Sequence, residues 1–351
     1  MPSPYQRNTT IDAIKAFAIV CVVVAHCIEY GSGLNYLSLN LFFNNPLFKV
    51  ITSFHMPLFM LVSGYLFGYS VSRGSISQVI QKRANGLLLP LFCWNIVALT
   101  VYLLSFVIHD SPLLPVSQFA QWFIHSLFYN FWFLWAVWWC ALITAISHYY
   151  FKDNLYFILA TLAITLILPN RHHVDYYSFM LPYFFIGYGY CTKRTDRTWE
   201  KKHRYVLLIV SLISFIILYF FYNPDTYIYT TGHCILQDGR LSFRQLSIDI
   251  FRFTIGLCGS IFFILLIDWI YPMLKHSNQT IALIGRNSLG IYIISDILFN
   301  DHLLRLVSTK MSGVNYWVLC IETLIVIVTS VLITLCIQKN RFANRLLLGG
   351  R

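Results

Sequence analysis

Long apolar blocks alternate with short polar interruptions along the whole chain. A helix needs about 20 mostly apolar residues to cross a bilayer. Ten segments approach that measure: 11–30, 47–69, 86–108, 130–149, 154–170, 176–191, 205–222, 250–271, 281–299 and 316–338. The sixth is the shortest and carries Pro182, Gly187 and Gly189. The pattern predicts an all-α protein, a polytopic membrane helical bundle of about ten transmembrane helices. No repeat of fixed period, low-complexity tract or long linker divides it. The expectation is therefore a single membrane-embedded domain over 1–351 with no appended soluble domain.

Charge sets the orientation. With a cytoplasmic N-terminus, sixteen Lys and Arg fall in the cytoplasmic connections and five in the opposite ones. The cluster from Lys193 to Arg204 is the densest of the inner group. Cytoplasmic loops carry such an excess in membrane proteins, so both termini are expected in the cytoplasm. The N-terminal block, with Arg7 and Lys15 ahead of it, resembles a secretory signal, but no small-residue cleavage site follows, and it is expected to be a retained first helix.

Composition closes off other classes. Of 351 residues, 58% are hydrophobic and only 11% charged, against about 25% charged in soluble domains. A soluble globular protein would lack the polar groups to cover its surface, and disorder needs the opposite balance. The formal net charge of +11 reads as orientation, because no basic module stands apart as nucleic-acid partners require. Most of the nine cysteines lie inside apolar runs and no C-x-x-C pair occurs. Disulfides and a zinc site are not expected.

Ionisable residues within a membrane helix cost about 2.5–3.5 kcal/mol each at its centre, so each needs a reason. The first helix holds Asp12, Lys15, His26 and Glu29. At about 100° per residue, Lys15 and His26 share one face, and the two carboxylates lie on neighbouring rows. His26 falls roughly 22 Å from Ile11, in the outer half. His55, roughly 12 Å into the second helix from the opposite edge, reaches a similar depth. Asp296 and Glu322 come to the same level, so four helices could surround one cavity. Taken singly, an intramembrane histidine more often serves helix–helix hydrogen bonding than catalysis, and Asp296 and Glu322 read as structural. Lys15, Lys82, Arg83 and Arg286 at inner helix ends are where snorkelling cations belong, and also where a phosphate-rich cosubstrate would need them. In the long outer connection 223–249, Tyr227, Tyr229, His233, Asp238, Arg240 and Arg244 would suit a sugar-like acceptor, although loops of this composition are common. No phosphate-binding Gly loop, G-x-S-x-G elbow or H-E-x-x-H occurs.

The run Ile11-Asp12-Ala13-Ile14-Lys15 closing on His26 resembles the opening of the acyltransferase family 3 membrane proteins. Phe54-His55-Met56-Pro57-Leu58-Phe59 through Ser63-Gly64-Tyr65-Leu66 is similar to the family's second-helix signature, particularly in its sugar O-acetyltransferase branch. Trp132-Phe133-Leu134 and Gly285-Arg286-Asn287-Ser288 match later landmarks in the right order. The chain departs from the pattern at Lys15, where Arg is usual, at Gly86, where many members have a second Arg after Arg83, and at Ser295, where a His is frequent.

The resemblance implies an O-acetyltransferase of the bacterial cytoplasmic membrane, moving an acetyl group from cytoplasmic acetyl-CoA to an envelope glycan or lipid-linked saccharide. Lys15, Arg83 and Arg286 would take the CoA phosphates, with Asp12 in the same cofactor-binding group orienting the basic partners. His26 would be general base or transient acyl carrier, Glu29 its orienting partner, and His55 a proton relay or charge stabiliser. No metal is implied. Two rivals remain: a proton-coupled transporter or flippase, for which buried His and carboxylates also suit, and a membrane scaffold without catalysis.

Overall fold

A computed structural model describes residues 8–31, 43–108, 115–193, 198–237, 239–274, 278–300 and 315–350. Arg7, Arg194, Arg197, Asp238, Lys275, Arg305, Lys310 and Arg351 lie outside the described residues. In chain order the helices are α1 (Thr9–Gly31), α2 (Pro46–Val71), α3 (Ile76–Ile108), α4 (Val116–Tyr129), α5 (Trp132–Phe151), α6 (Leu155–Ile167), α7 (Val174–Thr192) and α8 (Thr198–Phe221). A short strap, Pro224–Thr231, and a minimal hairpin of β1 (Leu236–Gln237) and β2 (Arg240–Leu241) follow. Then come α9 (Phe243–Ile270), α10 (Asn278–Arg286), α11 (Ser288–Asn300), α12 (Tyr316–Lys339) and α13 (Arg341–Leu348).

Asparagine starts many of these helices. Its side-chain oxygen satisfies first-turn N–H groups that have no partner within the helix. Asn8 accepts from Thr10 N at 3.0 Å for α1, and Asn45 from Leu47 N at 3.0 Å for α2. Asn154 accepts from Tyr156 N at 2.8 Å, Asn315 from Trp317 N at 3.0 Å and Asn340 from Phe342 N at 2.9 Å.

Every expected span is helical, and the chain is an all-α membrane bundle apart from the hairpin. Six described helical segments are long and apolar enough to cross a membrane: Thr9–Glu29, Pro46–Val71, Trp132–Phe151, Lys202–Phe221, Phe243–Met273 and Tyr316–Lys339. The expected span 281–299 differs from a straight helix: α10 and α11 meet at 67° and together make a seventh candidate. Asn287 lies between the two pieces, and its side-chain amide donates to Leu283 O at 2.9 Å, supplying an acceptor's partner where the ladder turns. Three further expected spans fall in α3, α6 and α7. With 13 residues, α6 is only about 20 Å long, short of the bilayer core.

The residues group into two compact units, each assembled from three stretches. The first holds residues 1–66, 183–231 and 242–334. There α1 packs on α10, α11 and α9, and α8 on α9. Lipid tails are as apolar as leucine, so helices in a membrane associate through close van der Waals packing, which small residues permit. At the crossing of α2 and α7, a Cβ on Gly64 would overlap the Phe184 carbonyl, and one on Gly187 the Leu61 carbonyl. The two backbones therefore touch.

The second unit holds 67–182, 232–241 and 335–351. In it α3 packs on α5 and α13. The Trp94 indole donates to Leu347 O at 2.8 Å, and Gly349, with φ +71°, lies on Gly86. Asn170 Oδ1 accepts from His233 N at 3.0 Å and Cys234 N at 2.9 Å, fastening the hairpin segment beside α6.

Gly187→Ala should destabilise the protein by about 1–3 kcal/mol through overpacking. Gly189→Ala, where a Cβ meets nothing within 4 Å, should be neutral. Melting of both variants in detergent checks this, and equal stability of the two would mean that α2 and α7 do not cross closely.

Candidate functional site

The first unit brings the polar stripe of α1 together with residues from α2, α10 and α11. At one end of α1, Asp12 is buried and its carboxylate lies 4.0 Å from Lys15 Nζ, one turn on. Gly285 of α10 packs against the Asp12 backbone, where a Cβ would overlap the Asp12 carbonyl. The bend between α10 and α11 therefore lies on the Asp12–Lys15 turn. Arg286 at that bend is exposed, with Nε donating to Ala282 O at 3.1 Å. A cation in the last turn of α10 also complements the helix dipole. Arg83 belongs to the second unit, where its guanidinium lies over the Phe67 ring at 5.0 Å.

Eleven residues along α1, about 16 Å away, is the imidazole. His26 Nδ1 lies 3.6 Å from Glu29 Oε2, longer than a direct hydrogen bond. The Glu29 side chain is 4% exposed and that of His26 25%. His26 Nδ1 is itself buried, so the accessible quarter belongs to the rest of the side chain. Nε2 is the ring nitrogen not committed to Glu29. Asp296 of α11 is within electrostatic reach of His26, and so is His55 of α2.

His55 is held differently. Its Nδ1 is 2.8 Å from Ile51 O, and a carbonyl can only accept, so Nδ1 carries the proton. In the neutral ring Nε2 is then the basic nitrogen. Two imidazoles thus have their Nδ1 atoms directed to protein groups. Glu322 of α12 is buried beside Cys27, on the neighbouring face of α1. Asp12, Lys15 and the Arg286 bend form one group, His26, Glu29, His55 and Asp296 a second, and one helix carries both.

The sequence reading passed over the pair Asp249–Arg252 in α9. Both are buried and they join at 3.1 Å. Opposite charges three residues apart at the edge of an apolar block were the available signal. A second cluster it passed over is aromatic and lies in the second unit. His125 stacks on Tyr129 at 3.9 Å, Tyr129 meets His173 edge-on at 4.5 Å, and His173 stacks on Tyr176 at 4.6 Å. His172 and His173 both have positive φ, 49° and 59°.

Helices of membrane-spanning character, with an imidazole–carboxylate pair at one level of α1 and a lysine–carboxylate pair at another, define a multi-pass membrane protein. The chain belongs to acyltransferase family 3: the family described as an acyltransferase domain matches residues 8–339. Over 225 residues it is 26% identical to the Nodulation protein NolL of Sinorhizobium fredii, covering 64% of this chain and 60% of the relative. Over 230 residues it is 25% identical to the Nodulation protein NolL of Mesorhizobium japonicum, covering 64% and 58%. The match therefore spans less than two thirds of these curated relatives. No solved structure matches the chain.

In the loop before α7, burial and the neighbouring His125 and His172 pull the pKa of His173 from its ordinary 6.5 to about 4. Between those values the unfolded chain takes up a proton that the folded His173 refuses, so stability falls as pH drops through this window and levels off below it. His173→Asn, which tolerates the left-handed backbone, should flatten the loss of melting temperature between pH 6.5 and pH 4. An unchanged acid slope would show that His173 is not buried among its neighbours.

Proposed function

We propose that the protein is a membrane O-acyltransferase that moves an acetyl group from cytoplasmic acetyl-CoA to a hydroxyl of a bacterial envelope carbohydrate. The observation that carries this reading is the pairing of His26 with Glu29, in reach of His55 and Asp296, on the helix whose other end holds Lys15 against the α10–α11 bend. Family membership supports acyl transfer. The donor, the acceptor, the site roles and residence in the bacterial cytoplasmic membrane are parts of the proposal.

The chemistry asks for what the two ends hold. CoA is rich in phosphate, and an ammonium is a suitable point charge for it. Lys15 binds the CoA phosphates, with Arg286 at the adjoining bend contributing. Asp12 orients Lys15 and keeps its charge balanced. The acetyl thioester then has to reach His26, about 16 Å along α1, which suits a cosubstrate with a long arm.

At His26, the Nε2 lone pair removes the acceptor hydroxyl proton as the oxygen attacks the thioester carbonyl. The carbon–sulfur bond breaks and the departing CoA thiolate takes the proton back from the imidazolium. Alternatively Nε2 attacks the thioester first, releasing the thiol, and an acyl-imidazole passes the acetyl group to the hydroxyl. In both routes positive charge develops on the ring, and Glu29 steadies it through Nδ1. His55, with Nε2 basic, relays the proton or stabilises the charge that develops nearby.

His26→Ala should abolish O-acetylation of the glycan, read by NMR of envelope polysaccharide from cells expressing the variant at wild-type level. Retained acetylation would remove His26 from the reaction. Glu29→Gln should lower kcat by about 10²–10⁴ with little change in KM. Lys15→Ala should raise the KM for acetyl-CoA while kcat at saturation survives. Solute transport by the purified protein without acetyl-CoA turnover would overturn the whole reading.

A further inference from the structure

The Asp249–Arg252 pair near the start of α9 carries an inference about the acceptor. Arg252 is 3% exposed and Asp249 4%. Asp249 accepts from Arg252 at 3.1 Å and from Gln245 Nε2 at 3.1 Å. The rest of the guanidinium is directed at one short segment. Arg252 Nε donates to Thr226 O at 2.5 Å, and a terminal nitrogen donates to Tyr227 O at 3.2 Å and to the Thr231 hydroxyl. All three acceptors lie in the strap Pro224–Thr231. The strap is closed at its entry by Asn223 and Thr226, whose side chains cap one another's backbone N–H.

This strap reaches the helix that carries His55. Tyr227 is buried against Phe43 at 5.1 Å and Phe48 at 6.2 Å. Phe48 lies seven residues, about two helical turns, before His55 on α2. Tyr222, just before the strap, meets Phe43 at 5.4 Å. Further along α9, Gly259 packs against Phe54 and Gly256 against Pro57, and Ser260 donates to Phe54 O at 3.3 Å. One helix therefore fixes the strap through Arg252 and the backbone flanking His55 through the next two turns.

The exposed residues of the strap are Asp225 and Thr230, with Ile228 and Tyr229 half-buried beside them. The neighbouring cation, Arg244, is already paired with Asp225 at 3.0 Å. A threonine hydroxyl and a tyrosine ring match a neutral, hydroxyl-rich molecule. They do not match phosphates, for which Lys15 at the far end of α1 is placed.

We propose that Arg252 is a positioning residue for the acceptor: it holds the strap 224–231 in the one conformation that presents its polar face to a carbohydrate approaching the His26–His55 site. This rests on the transferase reading above. A salt-bridged guanidinium that donates to three strap acceptors is a rigid fork, which lysine cannot reproduce.

The test uses the purified full-length protein, radiolabelled acetyl-CoA and envelope polysaccharide from the same cells after alkaline removal of its O-acetyl groups. Arg252→Lys and Thr231→Val should each raise the half-saturating polysaccharide concentration by about tenfold. The KM for acetyl-CoA should stay within about twofold, and Thr231→Val should melt as the unaltered protein does. Transfer with unchanged polysaccharide dependence in both variants, or an equal rise in the acetyl-CoA KM, overturns this inference alone. Absence of transfer by the unaltered protein overturns the parent reading and this inference with it.

Discussion

The structure depends on the cost of keeping charge away from water. Each ionisable group that enters the helical interior has to arrive with a partner, and the partners decide which helices lie together. Asp12 with Lys15, Glu29 with His26, and Asp249 with Arg252 are all spaced three residues apart on one helix. Such pairs form within a helix before any neighbour is needed. The helix can then be assembled with its charges already compensated, and the remaining bonding capacity of each pair is turned outward. Arg252 uses it on the strap, and the α1 pairs face α10, α11 and α2.

Much of the site was legible because α1 concentrates it. Helical spacing alone put Lys15 and His26 on one face, and depth counting put His55 level with His26. The structure brings these two imidazoles into electrostatic reach of one another. What the apolar pattern could not carry was the bend. Hydropathy sees residues 281–299 as one block, whereas the 67° break at Asn287 depends on Gly285 meeting the Asp12 backbone, a contact between residues far apart in sequence. Arg252 was hidden for a related reason. A single arginine near the edge of an apolar block looks like a snorkelling residue, and its three strap acceptors are backbone carbonyls and a threonine hydroxyl, which have no sequence signature.

The division into two units was equally invisible, since both are threaded through the chain and no linker separates them. This bears on the basic residues. Lys15 and Arg286 share a unit, in which α10 packs on α1. Arg83 has a partner of its own kind in the second unit, the Phe67 ring. A cation over an aromatic face is stabilised without an anion. Its position is thus fixed differently from that of Lys15, which lies beside a carboxylate.

Separation along one helix also constrains how an acyl group could be handled. On the proposed reading, a CoA headgroup and an acceptor would compete for the same space if Lys15 and His26 were adjacent. About 16 Å of α1 between Lys15 and His26 keeps them apart while fixing their spacing, because a helix neither stretches nor shortens appreciably. A long, thin arm, as the proposed donor has, would bridge that interval. On the proposed reading, the rise of a single α-helix supplies a ruler for the donor, and it does so with α1 alone, before the packing of any other helix is considered.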